Sequence, residues 1–133
     1  MIEVPRLHDG YLTAIAVADK QATFTAKSVV GERWQIVVQG VQALQVADFR
    51  EGNIINCIEV ITRAQPPREV MERLFTPPHH NAAAEYHLAH GEFLDKKCEA
   101  VRSGEFILIM ITSSYGADVA VLGTGVEVSG GLD

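Results

Sequence analysis

Cysteine is scarce: Cys57 and Cys98 are the only two in 133 residues, and they form no CxxC pair. A disulfide scaffold and a Cys-based zinc module are therefore both excluded, and the expectation is two reduced, buried thiols in a cytoplasmic protein. Basic side chains are also in deficit. Eleven Lys and Arg stand against 17 Asp and Glu, a net charge of −6, which opposes adhesion to a phosphate backbone and argues against nucleic acid as a partner. Long apolar runs are missing as well. No stretch reaches the roughly 18–20 residues that cross a bilayer, and Met1–Pro5 shows no basic segment followed by an apolar one, so neither a membrane nor a secretory route is expected. What is present is ordinary for a soluble globular protein, 47% apolar and 21% charged residues, in a length suited to one domain spanning 1–133.

Strand periodicity dominates the first half. Residues 11–18 are small, aliphatic and apolar on both faces. In 22–28, Ala22, Phe24 and Ala26 alternate with Thr23, Thr25 and Lys27, the pattern of a strand with one wet face. Asp19-Lys20 is short enough for a hairpin connection. Gly31-Glu32 gives the next turn, and Trp34, Ile36 and Val38 share one face of a third strand. Gly40 marks a bulge or bend, 41–49 a fourth extended segment, and Glu51-Gly52-Asn53 a turn before a fifth at 54–62. Short links between such segments require antiparallel pairing.

Helical character follows. Pro67 suits the first turn of a helix over 68–75, where Val70, Met71, Leu74 and Phe75 share a face. A second helical stretch runs from Asn81, the expected N-cap, to about Ser103, with Gly91 a place where it divides. Strands return in 106–111, apolar on both faces as a covered central strand would be, then in 119–122 and 126–128, with a turn over 113–117 and a loose tail over 130–133. The order predicts an α+β fold: a curved or partly closed antiparallel sheet of about seven to eight strands, with two to three helices inserted between the fifth strand and the C-terminal strands.

Chemistry-bearing residues are few. His79, His80, His87 and His90 lie within one short segment. On a continuous helix His87 and His90 share a face, so a divalent metal held by these two and a carboxylate such as Asp95 or Glu99 is conceivable. HxxH is not the HExxH of a zinc hydrolase, however, and Tyr86, Phe93 and Leu94 beside it equally suit a core border. His8-Asp9-Gly10 reads as a turn in which Asp9 bonds the backbone and Gly10 takes a positive φ. Ser113-Ser114-Tyr115-Gly116 lacks the flanking glycines of a nucleophile elbow, and Gly123-Thr124-Gly125 opens no helix, so neither carries a nucleophile or a nucleotide. Arg50, Glu51 and Asn53 combine charge with turn geometry and are the candidate binding residues, because loops held by strands often carry recognition. Glu85, Glu92 and Glu99 recur along one helical stripe and form a solvated acidic face.

These features favour an acidic, cytoplasmic binding domain without catalysis and without a cofactor. Its target would be a basic protein or a small ligand, and a homodimer through unpaired sheet edges is an allied possibility. The competing reading is a small metal-dependent or acid–base enzyme built on His87 and His90. It requires those side chains to converge with a carboxylate in a cleft.

Overall fold

A computed structural model of the chain describes residues 7–132; the Met1–Pro5 start and Asp133 lie outside them. The described residues form strands β1 (Tyr11–Ala18), β2 (Gln21–Lys27), β3 (Arg33–Gln39), β4 (Ala43–Ala47) and β5 (Asn53–Ile61). Helices α1 (Arg68–Leu74) and α2 (Ala84–Ser103) follow, then β6 (Ile107–Tyr115), β7 (Asp118–Gly123) and β8 (Gly125–Leu132). The α+β class and the antiparallel sheet are as the sequence predicts.

Local chemistry explains each early element. Ala22, Phe24 and Ala26 are buried on one face of β2 while its ends are exposed. Asp19 and Lys20 both have positive φ, 53° and 60°. Ala18 pairs with Gln21 across them, which is the two-residue hairpin whose twist suits antiparallel strands. At Asp9 the left-handed conformation falls on the aspartate, φ 64°, and not on Gly10 as the sequence suggested. Gly10 is needed for a different reason: a Cβ there would lie 2.6 Å from the Lys27 carbonyl oxygen and 2.9 Å from that of Leu7.

The eight strands form one sheet in the order β4-β7-β6-β5-β1-β2-β3-β8. It is curved but not closed. Its two halves, β4-β7-β6-β5 and β1-β2-β3-β8, fold over a shared core that includes Phe24, Ile36, Val38, Ile55, Ile109 and Val121. One corner is the short β1–β5 pairing, limited to Tyr11↔Ile54 and Leu12↔Asn53. At the other corner β3 bends into β4, and β7 passes through Thr124 into β8. There Gln42 N–H donates to the Leu122 carbonyl at 2.7 Å and Thr124 N–H to that of Gln39 at 2.8 Å. Gly40, at φ 60°, makes this bend, and a Cβ at that position would strike the Thr124 side chain.

Two helices, not three, lie between β5 and β6, and they cover the outer face of one half only. Val70, Met71, Cys98 and Val101 pack there on Leu108, Met110, Ala120 and Leu122. Strands β6 and β7 are thus buried on both faces, as the apolar 106–111 run foretold. Helix α2 runs unbroken through Gly91 and starts later than expected, with Ala83 as its N-cap and Asn81 outside it. Of the 130–133 stretch expected to be a loose tail, residues 130–132 belong to β8, which continues to Leu132 with a register shift opposite Arg33/Trp34, and Asp133 lies outside the described residues. Ser113 to Tyr115 likewise belong to β6, and only the next residues turn.

Candidate functional site

The loop that joins β4 to β5, together with the first residue of β5, carries all three sequence-predicted binding residues but uses them differently. Asn53 is 1% exposed. Its Oδ1 accepts from the N–H groups of Arg50 at 2.7 Å and Ala117 at 2.9 Å. Its Nδ2 donates to the carbonyls of Leu12 at 3.1 Å and Arg50 at 2.6 Å. One amide therefore ties β1, the 50s loop and the β6–β7 turn together, and its side chain faces inward to the backbone and away from any partner. Arg50 and Glu51 remain exposed, with the Arg50 guanidinium 6.0 Å from the centre of the Tyr115 ring.

The same loop ends a groove that sequence reasoning missed. Strand β1 pairs with β2 from Tyr11 to Ala18, but among the described residues no strand pairs with its other edge beyond Leu12. Among the described residues strand β4 pairs only with β7. Between these two free edges lies an apolar groove of about 460 Å³, lined by Ile15 and Val17 of β1, Leu44 and Val46 of β4, and Phe49. Ile15 and Val17 sit opposite the buried Phe24 and Ala22. Leu44 and Val46 sit opposite the core residues Val121 and Val119. All four therefore stand on the inner face of the sheet, where closure would bury them. The gap leaves Val17 54%, Val46 36% and Phe49 47% exposed. One hydrogen bond, from Val41 N–H to the Lys20 carbonyl at 2.8 Å, spans the gap at one end. At the other end Arg50 and Glu51 stand beside Tyr11, Leu12 and Thr13. The sequence does carry a signal for this site: 11–18 holds no charge and no proline, the usual guards of a strand edge.

The histidines do not converge on a metal site. His87 is exposed and His90 half-exposed on α2. His90 stacks on Phe93 at 6.3 Å between ring centres, and His79 packs on His80 at 4.2 Å. Among the described residues no group of three His, Cys, Asp or Glu is placed to hold a metal ion. Asp95, the carboxylate first considered as a third ligand, instead accepts from Arg68 Nη1 at 2.6 Å. That bond is the main cause holding the Arg68 guanidinium above its ordinary pKa, and it clamps α1 to α2.

A second, more polar cleft of about 510 Å³ lies beside α1, where Arg73, Gln45, Thr112, Ser113 and Asp118 meet an apolar floor. Ser113 is engaged in the turn: its hydroxyl donates to the Gly116 carbonyl at 2.8 Å, and its N–H donates to Asp118 Oδ1 at 2.9 Å. No histidine lines the cleft to act as its base. Among the described residues no helix is long and apolar enough to cross a membrane. Comparison with known proteins adds no relative, since no family model, no curated protein and no solved structure matches the chain.

Proposed function

We propose that this chain is an interaction domain that binds another polypeptide without catalysis, and that the binding site is the groove between β1 and β4. The carrying observation is the pair of strand edges, unpaired among the described residues, flanking inner-face side chains that remain in solvent. Such an edge offers backbone N–H and C=O groups to an extended segment, and the apolar side chains beside it supply affinity. The net charge of −6 speeds encounter with basic partners and disfavours nucleic acid. Among the described residues His87 and His90 are grouped with no third metal-ligating side chain, which favours the binding reading over the metal-enzyme alternative.

The test is selection of extended peptides from a displayed library on the wild-type protein, followed by titration of ¹⁵N-labelled protein with the selected peptides. Amide shifts confined to Thr13–Ala18 and 43–50, lost in Val17→Lys, are the expected outcome. Shifts that cluster on the cleft beside α1, or that survive Val17→Lys, overturn the assignment.

A further inference from the structure

We propose that the outer face of the β2–β3 hairpin is a binding site for a phosphate monoester, held by Lys27 and Arg33. The site is separate from the groove between β1 and β4, since neither residue lines that groove.

Register brings the two cations together. Ser28 N–H donates to the Glu32 carbonyl at 2.8 Å. The next pair along the ladder, Lys27↔Arg33, is therefore a non-hydrogen-bonded one, the kind in which opposing side chains come closest. Lys27 and Arg33 flank the core-facing Ala26 and Trp34, so both project from the outer face of the sheet and both are exposed. Like charges directly opposite across a sheet repel and destabilise the pairing. Among the described residues no acidic side chain forms an ion pair with either. Glu32, next to Arg33 in sequence, turns its carboxylate towards β8, 3.9 Å from where a Cβ on Gly131 would lie.

The surroundings suit an anion. A hollow of about 330 Å³ lies beside the pair, lined by Thr13, Thr25, Lys27, Gly31 and Arg33. Each polar side chain in it can donate a hydrogen bond, and none is a carboxylate. The irregularity of β1 between Leu12 and Ala14 sets Thr13 here, with its hydroxyl donating to the Thr25 carbonyl at 3.1 Å. Thr25 carries a hydroxyl two residues before Lys27 on the same face, a third donor beside the two cations. Gly31, at φ 90°, turns the hairpin so that the Lys27 stem passes alongside, its Cε 3.8 Å from where a Cβ would lie.

Charge selects the ligand. Two facing cations call for two negative charges on one small group. A phosphate monoester carries about −1.5 to −2 at pH 7 on three acceptor oxygens, whereas a carboxylate or the phosphodiester of a nucleic acid carries one. The net charge of −6 works further against a polyanion.

The experiment is thermal unfolding and ¹⁵N-amide titration of the full chain with methyl phosphate, dimethyl phosphate and acetate, at one ionic strength and at about pH 8, where the monoester is doubly charged. Methyl phosphate should bind with a dissociation constant on the order of 1 mM, as two charge-assisted hydrogen bonds allow. At about ten times that concentration the thermal midpoint should rise by about 4 °C, with amide shifts centred on Thr25–Arg33. Dimethyl phosphate and acetate should bind roughly tenfold more weakly. Lys27→Gln and Arg33→Gln should each weaken methyl phosphate binding about tenfold or more. Without phosphate both variants should keep or raise the midpoint, because each removes a like-charge contact, whereas loss of a merely structural side chain would lower it. Lys27→Glu sets opposite charges face to face, and should raise that midpoint and remove the response to methyl phosphate. Equal binding of methyl and dimethyl phosphate overturns the proposal. So do equal responses of wild type and Lys27→Gln, or amide shifts centred away from 25–33. None of these results bears on the groove, whose own test reads Thr13–Ala18 and 43–50.

Discussion

At the residue scale Asn53 shows how a polar side chain becomes structural. Four hydrogen bonds from one buried amide hold three segments that are distant in sequence. Asn53→Ala would leave two N–H groups and two carbonyls without these partners, in a place where water replaces them poorly. We expect a loss of about 3 kcal/mol, read as a lowered urea midpoint, together with loosened exchange protection at Ala117. Its place in a turn is visible in Arg50-Glu51-Gly52-Asn53, because Gly and Asn have local reasons to turn. Its direction is not visible, since that is fixed by Leu12 and Ala117, which arrive from elsewhere in the chain. Gly10 teaches the same lesson. A positive φ is the local guess for glycine, yet here the residue is required by the close passage of the Lys27 carbonyl.

At the scale of elements, period carried the strands and both helices well, and boundaries and partners less well. The Ala22/Phe24/Ala26 alternation is local information. Whether the apolar 11–18 strand is covered depends on how far β4 lies from it, and that is set by the Gly40 and Thr124 corner. Gly91 is a case where composition suggested a break that packing did not make. The half of α2 before it is exposed on all sides from Ala84 to Ala89, so intrinsic propensity weighs heavily there. A Cβ at Gly91 would meet nothing within 4 Å, and the backbone is helical. Gly91→Ala should therefore stabilise the protein by about 0.5–1 kcal/mol. The checks are a raised thermal midpoint and slower exchange at Tyr86–Ala89; an unchanged or lowered midpoint would contradict the account.

At the scale of the whole molecule, two apolar cores share the same pair of strands. Ile109, Ile111, Val119 and Val121 face the inner core between the sheet halves, while Leu108, Met110, Ala120 and Leu122 face the helices. Neither core can be dismantled without exposing one face of β6 and β7, so the helical layer and the distant β1-β2-β3-β8 half should lose structure together. The molecule carries its own reporters. Trp34, its only tryptophan, lies on β3 and packs against the inner core, whereas far-ultraviolet ellipticity at the helical minimum follows α1 and α2. Urea unfolding followed by tryptophan emission and by ellipticity should give one coincident transition. Met71, fully buried on the inner side of α1, supplies the perturbation: Met71→Ala should cost about 2–4 kcal/mol. It should move the Trp34 transition as far as the helical one, although its core cluster includes no residue of β3. A helical transition that shifts alone would mean that β6 and β7 do not couple the two cores, and the chain would then unfold as two separable layers.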